Sequence, residues 1–186
     1  MRKNVTFIII AFNPNQEALA SLLTHLKDYP TIIIDNGGTL SSDAVGRATL
    51  LTQTKNLGFG AAANIGIHHA SAHGAEWFVI LNQDTVVASE SVRTLVRQLN
   101  RTPPAVAGPF TGALDDKRWT TVLPTERTEY VTGSCMAIHV DVVTKIGYFY
   151  EQYFLYYEDA DYCVRAKRAG SPILKLDIAD MHHEET

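Results

Sequence analysis

The amino-acid sequence predicts a three-layer α/β fold, in which a mostly parallel sheet lies between two layers of helices. Three observations favour it. Apolar β-rich runs alternate with segments of helical periodicity. The run 77–81, WFVIL, is apolar at every position, which is typical of a strand buried on both faces of a parallel sheet. Asn82, Gln83 and Asp84 follow that run at its carboxyl end, the edge where open α/β sheets bind ligands.

The composition indicates one ordinary globular domain over residues 1–186. Hydrophobic residues make up 46% of the chain and charged residues 19%. The net charge of -4 gives no sign of affinity for nucleic acid, so an anionic ligand would need a metal ion or a few local cations. Cys135 and Cys163 lack metal-type spacing, which favours a reducing, cytoplasmic compartment. No run approaches the ~18 apolar residues of a transmembrane helix.

The first half of the chain contains the patterns of three strands and their connections. The predicted elements are strands at 5–12, 31–34 and 49–53, a helix at 16–29 and a short helix at 40–47. The helix at 16–29 is indicated by leucines spaced on one face and by Pro30 after it. Asp35 follows the second strand and so lies at the ligand edge. A ligand-binding carboxylate and a turn-forming residue fit its position equally well.

A glycine-rich stretch precedes the next helix. Gly58-x-Gly60-x-x-Ala63 formally matches the dinucleotide-binding fingerprint, and a helix N-terminus favours anions. The alternative is that the glycines permit a tight turn and close helix packing. On the same helix His69 and His73 have the spacing of a metal pair, although a solvated face explains them more simply.

The second half is less regular. Its predicted elements are a helix at 89–100 with Ser89 as N-cap, strands at 105–108, 130–139 and 172–176, a short helix at 141–146 and a helix at 158–168. The stretch 110–127 is predicted as a hairpin or a mobile loop. A glycine inside the strand at 130–139, Gly133, permits a bulge or close approach of a ligand.

Aromatic residues are concentrated at 148–157, directly before an acidic helix start. A sugar ring can stack on such faces, and a packed hydrophobic segment is the equal alternative. Glu158, Asp159 and Asp161 open the following helix and complement its dipole. Carboxylates that follow an aromatic wall are also a natural place for a general base.

Taken together, these motifs resemble the family 2 glycosyltransferases of the GT-A fold, in particular their rhamnosyltransferase-like branch. The likeness spans nearly the whole chain. It is carried by Ile34-Asp35-Asn36, by Asn56-Leu57-Gly58-Phe59-Gly60 with Asn64-Ile65-Gly66, by Leu81-Asn82-Gln83-Asp84, by Gly133-Ser134-Cys135, and by Glu158-Asp159-Ala160-Asp161-Tyr162 with Arg165.

The resemblance implies roles for individual residues. The residues it places at a nucleotide-sugar are Phe12, Asp35, Asn56, Gly58, Asn64, Asn82, Gln83 and Asp84. Asp35 would bind the uracil or thymine base, and Asp84 would hold Mn²⁺ or Mg²⁺ against the diphosphate. His183, or His182 in its place, would join the metal. Asp159, with Glu158 beside it, would deprotonate the acceptor hydroxyl.

The resemblance also implies an organisation and a setting. A Rossmann-like half at 1–100 would bind the nucleotide-sugar donor, and 101–186 would hold the catalytic groups and a glycan or lipid-linked acceptor. The expected reaction is inverting transfer in bacterial surface polysaccharide synthesis, with possible peripheral attachment to the inner face of the membrane. Asn82 stands where the family has the first acid of its DxD motif, which predicts a weaker metal site. The chain also ends where family members usually continue, so it is expected to be either a truncated protein or a minimal catalytic core.

Two other functions fit parts of the sequence. A catalytically weak or inactive nucleotide- or sugar-binding module of the same fold would explain Asn82 and the short C-terminal region. A dinucleotide-binding oxidoreductase would explain the glycines at 58–63, with Asp84 as the acid that takes the ribose. The breadth of the family resemblance favours the glycosyltransferase over both.

Overall fold

The computed structural model describes residues 4–115, 120–122 and 128–183. The elements of this part of the chain are, in order, β1 (Val5–Ala11), α1 (Gln16–Leu26), β2 (Thr31–Asp35), a short 3₁₀-helix (Ser42–Val45), β3 (Thr49–Thr52), α2 (Phe59–Ala72), β4 (Trp77–Asn82), β5 (Thr85–Val87), α3 (Ser89–Leu99), β6 (Val106–Gly108), β7 (Thr111–Asp115), β8 (Thr120–Val122), β9 (Tyr130–Val131), β10 (Cys135–His139), α4 (Val140–Ile146), α5 (Glu158–Arg168), β11 (Ile173–Lys175) and β12 (Met181–His183).

A seven-stranded sheet forms the middle layer, in the order β11-β6-β10-β4-β1-β2-β3. Strand β10 runs antiparallel to β4 and β6, and the remaining pairs of this sheet are parallel. Ile8 of β1 packs in the core shared with α2, α4 and α5, whereas Phe7 and Ile9 pack in the core shared with α1 and α3. The predicted three-layer α/β fold with a mostly parallel sheet is therefore confirmed.

Two details of the helices differ from the sequence-based expectation. Helix α1 ends at Leu26 rather than at residue 29, because a turn precedes Pro30. Ser89 is not the N-cap of α3. Ala88 occupies that position, and the Ser89 hydroxyl lies 2.9 Å from Nδ1 of His25, so the side chain links α3 to α1.

The regions around 77–85 and 110–127 are also resolved into shorter elements. The first divides into β4, a turn and β5, and β5 pairs with the C-terminal strand β12. In the second, β7 and β8 form an antiparallel pair, which is the hairpin alternative. Residues 116–119 and 123–127 of this stretch lie outside the described residues.

Helix α2 approaches the sheet closely because it carries glycine where it crosses β1. A Cβ atom added to Gly66 would lie 2.3 Å from Cγ2 of Ile8, well inside van der Waals contact. Ile8 is fully buried and β-branched, so its methyl group has little freedom to move away. The close approach brings the N-terminal turn of α2 to the edge of the sheet where β1 and β2 end.

The substitution Gly66→Ala is expected to destabilise the protein by about 1–3 kcal/mol, because the added methyl group overlaps Ile8 in a packed interface. In a helix without this contact the same change would stabilise by about 1 kcal/mol. The sign of the change in the free energy of unfolding, measured by urea denaturation, distinguishes the two cases.

A double-mutant cycle with Ile8→Ala provides the control. That change removes the clashing methyl group, so the double variant should lose less stability than the sum of the two single variants. Strictly additive losses would show that the overlap is not the cause.

Candidate active site

The parallel register of the central strands brings polar side chains to one edge of the sheet. Ala11 at the end of β1 is paired with Asp35 of β2, and Ile10 is paired with Asn82 of β4. The carboxyl ends of three adjacent strands therefore stop at nearly the same level. The sequence-based prediction placed the ligand edge here.

A cluster of Asp84, His183 and Asn82 lies at this edge. Nε2 of His183 is 3.3 Å from Oδ1 of Asp84 and 2.9 Å from Nδ2 of Asn82. Oδ1 of Asp84 is buried and accepts no hydrogen bond within the described part of the chain. The Asn82 Nδ2 group can only donate, so Nε2 of His183 accepts in this contact, and its single lone pair becomes available to another group only when the amide rotates away. Nε2 and Oδ1 of Asp84 are then both acceptors, 3.3 Å apart. Two acceptors in this arrangement repel each other unless a cation or a proton lies between them.

The residues of this cluster fit a divalent cation. Carboxylate oxygen, imidazole nitrogen and amide oxygen are all established ligands of divalent metals, and rotation of the Asn82 amide would present its oxygen. Over residues 4–115, 120–122 and 128–183, no group of three or more His, Cys, Asp or Glu side chains is arranged to hold a metal ion. The fit thus rests on two ionisable ligands and an amide.

Strand pairing places His183, rather than His182, beside Asp84. In β12, His183 is the partner of Thr85 and His182 is the partner of Val86, so the two imidazoles point to opposite faces of the small sheet. Helix α3 holds the turn before β12, because the Ser91 hydroxyl donates to the carbonyl of Ala179 at 2.7 Å. The sequence offered two histidines for this position, and the alternation of the strand distinguishes them.

Asp159 and Glu158 occupy different environments at the start of α5. Asp159 is half-buried, and its two oxygens accept hydrogen bonds from the backbone N–H groups of Gly133 (2.9 Å) and Ala160 (2.7 Å). Burial raises the pKa of Asp159, and those two hydrogen bonds oppose the rise. Glu158 is only 5% exposed, and its Oε2 has no hydrogen-bond partner in the described residues. Burial, with the adjacent Asp159 carboxylate, raises the pKa of Glu158 to about 7.

The turn at residues 132–134 connects the acid pair, Glu158 and Asp159, to the cluster of Asp84, His183 and Asn82, which we call the metal-type cluster. The Gly133 N–H bonds Asp159, and the Ser134 carbonyl accepts hydrogen bonds from Oγ1 of Thr85 (2.9 Å) and from the N–H of Asn82 (3.3 Å). The sequence predicted that Gly133 permits a bulge or the close approach of a ligand, but it predicted no role for Ser134 or Thr85. Only the pairing of β10 with β4 shows that this turn lies between the two groups.

Asp35 has the turn-forming role that the sequence left open. The residue is fully buried, and its carboxylate accepts hydrogen bonds from the N–H groups of Gly37 (3.3 Å) and Leu40 (2.9 Å). Next to it the Asn36 amide bonds Oδ1 of Asn56 at 2.8 Å. Asp35 therefore shapes the loop after β2, and its direct contact with a base stays a prediction.

Two other predicted ligand residues are also engaged within the protein. The side-chain amide of Gln83 pairs with the backbone of Phe12, accepting from its N–H at 2.7 Å and donating to its carbonyl at 3.2 Å. Asn64 is buried, and its amide bonds both backbone groups of Phe149 and a carboxylate oxygen of Glu151. These contacts tie β1 to β4 and hold the aromatic segment against α2. Phe12 itself stays 46% exposed, beside Gly37.

The glycines of the dinucleotide-type motif serve packing. Gly58 has φ of +85°, and a Cβ atom there would lie 2.3 Å from the carbonyl oxygen of Phe154. That oxygen accepts a hydrogen bond from the N–H of Phe59 at 2.9 Å, so it occupies the N-terminus of α2 where a pyrophosphate would bind. The alternative interpretation of Gly58 and Gly60, a tight turn with close helix packing, describes this structure. The oxidoreductase hypothesis loses its main support.

The histidine pair on α2 is a surface feature. The rings of His69 and His73 stack with centroids 4.4 Å apart, and Nδ1 of His73 contacts the carbonyl of His69 at 2.8 Å. His73 is exposed and ends the helix as its C-cap. The pair thus satisfies itself locally, as the solvated-face interpretation predicted.

The fold is a GT-A-type α/β fold, and acidic side chains lie at the carboxyl edge of its central sheet. The family model of glycosyl transferase family 2 matches residues 6–168, and the chain belongs to this family. Relatives include the dTDP-rhamnosyl transferase RfbF of Shigella flexneri, 25% identical over 91% of this chain and 65% of its own length. The N-acetylglucosaminyl-diphospho-decaprenol L-rhamnosyltransferase of Mycobacterium tuberculosis is 24% identical over 92% of this chain and 72% of its own.

A solved structure is similar in fold. GalNAc-T7, crystallised with UDP, GalNAc and Mn²⁺, superposes with a TM-score of 0.72 at 13% identity, over 93% of this chain and 42% of that one. The chain thus spans about two thirds of the Shigella relative and less than half of GalNAc-T7. The comparisons confirm the predicted family and the predicted resemblance to rhamnosyltransferases. Among the described residues, no helix has the length and apolar character needed to cross a membrane.

The buried Glu158 predicts a pH-dependent stability. Its pKa of about 7 in the folded protein lies above the ordinary 4.5, so folding favours the protonated carboxyl. That contribution is present below pH 4.5 and is lost as the pH rises to about 7. Glu158→Gln should therefore gain stability relative to the wild type across this window, by an amount on the order of 3 kcal/mol.

Urea denaturation of both proteins at a series of pH values measures this difference. Glu17→Gln, which removes an exposed carboxylate on α1, is the control and should show no such gain. Parallel stability curves for wild type and Glu158→Gln would contradict the assignment.

Proposed function

We propose that this chain transfers a sugar from a dTDP- or UDP-linked donor to a hydroxyl of a glycan or lipid-linked acceptor, with inversion at the anomeric carbon. The observation that carries the proposal is the convergence of two groups at one sheet edge. One is the metal-type cluster of Asp84, His183 and Asn82, and the other is Asp159, which the turn at 132–134 connects to that cluster. The Shigella relative is named for dTDP-rhamnose, which makes that donor the first to test.

Asp84 and His183 would hold Mn²⁺ or Mg²⁺, with the Asn82 amide as a neutral third ligand. When bound, the ion would supply Lewis-acid stabilisation of the departing diphosphate. Such ions commonly complete their coordination with phosphate oxygens and water, so few protein ligands are needed. A chain with a net charge of -4 gains from a cation when it binds a diphosphate.

The nucleoside end would lie across the carboxyl ends of β1 and β2. The ring of Phe12 is 46% exposed there and offers a face for a pyrimidine base. The Asp35 carboxylate fixes the loop that carries Gly37 beside this ring. Asn56, which is half-buried, continues the same polar wall through its contact with Asn36. Asp35 then acts by shaping the base pocket.

Asp159 would be the general base. As the acceptor oxygen bonds to the anomeric carbon, its proton passes to the Asp159 carboxylate, and the bond from that carbon to the diphosphate oxygen breaks with the electron pair leaving on the diphosphate. The pKa of Asp159 is raised by burial, which makes it a better proton acceptor than an exposed aspartate. Only its ionised form works as a base, so activity should rise with pH through this pKa. Glu158 is too enclosed to reach an acceptor.

The setting follows from the same proposal. The Mycobacterium relative is named for a decaprenol-linked substrate, and transfer to such an acceptor would bring this protein to the cytoplasmic face of the membrane. Assembly of a bacterial surface polysaccharide is the process that fits both named relatives.

A catalytically inactive binding module of the same fold is the second candidate. Asn82 in place of an acid favours it, and so does the engagement of both Asp159 oxygens with backbone N–H groups. Turnover of a nucleotide-sugar that depends on Asp159 would exclude this candidate.

The metal-type cluster predicts opposite effects for two substitutions. In the wild type, dTDP or UDP with Mn²⁺ should raise the melting temperature, and Asp84→Ala should remove the Mn²⁺-dependent part because the main anionic ligand is lost. Asn82→Asp should lower the Mn²⁺ concentration needed for half of the shift, because it adds a negative ligand.

Asp28→Ala, which removes an exposed acid beyond α1, is the control and should behave as the wild type. A wild-type protein that no nucleoside diphosphate stabilises with Mn²⁺ would refute the proposed donor site.

The base assignment predicts a loss of rate without a loss of donor binding. Asp159→Asn keeps the shape of the side chain but removes its basicity, so kcat should fall about 10²–10⁴-fold. The Mn²⁺-dependent thermal shift with nucleotide should persist. Asp43→Asn, in the exposed 3₁₀-helix, should keep full activity. Undiminished turnover by Asp159→Asn would remove Asp159 from the mechanism.

A further inference from the structure

The segment Tyr148–Tyr157 forms an exposed aromatic surface directly before the acid pair. Its large side chains with high exposure are Tyr150 (54%), Phe154 (56%), Leu155 (53%), Tyr156 (70%) and Tyr157 (48%). Large aromatic side chains normally bury most of their area, so a contiguous run of exposed ones marks an interaction site. The functional assignments above leave this surface without a role.

The segment is held in place by hydrogen bonds rather than hanging free. Asn64 bonds both backbone groups of Phe149, and the Phe154 carbonyl accepts from Phe59 at 2.9 Å. The Tyr157 carbonyl accepts from the N–H of Asp161 at 2.9 Å, which starts α5. A surface fixed at its beginning, middle and end is preorganised for a partner, since little conformational entropy remains to be lost on binding.

Backbone strain is concentrated at the two most prominent side chains. Tyr156 and Tyr157 have φ of +70° and +68°, a region that bulky residues avoid and glycine adopts freely. Glycine at either position would relieve the strain, yet both positions carry tyrosine side chains that are 70% and 48% exposed. Strain of this kind persists where the side chain serves function. Position 157 is followed immediately by Glu158 and Asp159.

The chemistry of the surface favours a saccharide over a bilayer. Tyrosine combines an apolar ring face with a hydroxyl, which suits the C–H face and hydroxyl rim of a pyranose. The stretch from 148 to 159 contains three carboxylates and no lysine or arginine. Arg165 lies over the Tyr150 ring at 4.2 Å, but its guanidinium is bonded to Asp161 and to two backbone carbonyls, so the surface presents carboxylates rather than free cations to anionic lipid headgroups. The first part of the segment, from Tyr148 to Gln152, lines a cavity of about 660 Å³ together with His68, and Tyr156 and Tyr157 are not among the residues that line it.

From these observations we infer that Tyr156 and Tyr157 form the stacking surface for the acceptor saccharide, and that they position its hydroxyl toward Asp159. This inference rests on the proposed glycosyltransferase function and names the acceptor class of that site. The two tyrosines are positioning and specificity residues, because they hold the acceptor while Asp159 takes the proton.

Direct saccharide binding in the absence of donor tests the inference. The probes are methyl glycosides of N-acetylglucosamine, glucose, galactose and rhamnose, and saturation-transfer NMR gives the Kd of each. Tyr156→Ala and Tyr157→Gly should weaken binding of the preferred glycoside about threefold to tenfold, as expected for the loss of an aromatic contact. Tyr156→Phe keeps the ring and should retain most of the affinity.

The melting temperature supplies the second readout. Tyr157→Gly releases the strain at φ of +68° and should melt at a higher temperature than the wild type although it binds saccharide less well. A purely structural role predicts no change in saccharide affinity. Because Tyr157→Gly is expected to be more stable than the wild type, weaker saccharide binding by this variant could not be attributed to misfolding.

Three results would overturn the inference: a wild-type protein that binds none of the glycosides, variants that bind them as the wild type does, or variants that instead lose sedimentation with vesicles of phosphatidylethanolamine and phosphatidylglycerol. The Mn²⁺-dependent thermal shift with dTDP or UDP is recorded in parallel on all variants. Failure of that shift in the wild type refutes the proposed donor site, whereas saccharide binding is measured without any nucleotide. The two failures are therefore distinguishable.

Discussion

The parallel register between β1 and its neighbours β2 and β4 is the constraint on which the site depends. Pairing of Ala11 with Asp35 and of Ile10 with Asn82 makes three strands end together. A shift of one residue in either pair would move each side chain to the opposite face. The two cores hold the register, because alternate residues of β1 pack against different helical layers. The chemistry at the edge is thus positioned by hydrophobic packing some distance beneath it.

A second level of organisation comes from the chain binding its own polar groups. Asn64 holds the backbone of Phe149, Gln83 pairs with the backbone of Phe12, and the Phe154 carbonyl closes the N-terminus of α2. Each of these polar groups could form hydrogen bonds with a ligand, but in this structure it forms them with the backbone of the chain. The effect is to fix the aromatic segment and the end of β1 before any ligand arrives, which lowers the entropy lost on binding.

The layers could be predicted because hydrophobic periodicity is a local signal. The family was predicted from the resemblance of motifs spread along the chain, and the polar groups at the strand ends do meet at one edge of the sheet. The sequence did not separate ligand-facing from self-bonded polar residues. Asp35 and Asn64 have the same hydrogen-bonding chemistry in either role, and only the tertiary contacts show that both are bonded to nearby backbone. Choosing His183 over His182, and seeing Ser134 between the two groups, required strand pairings between segments far apart in the sequence.

The acids of the site fall into two environments, and under the proposed function this difference would let one edge both bind a diphosphate and accept a proton. Oδ1 of Asp84 is buried without a hydrogen-bond partner among the described residues, so it favours a cation. Asp159 receives two backbone hydrogen bonds, which keep it ionisable despite the pKa increase that burial causes. Glu158, enclosed behind it with a pKa of about 7, limits the negative charge that accumulates at the start of α5 near neutral pH. A second buried carboxylate would repel the Asp159 carboxylate, so protonation of Glu158 below about pH 7 lessens the repulsion between the two side chains.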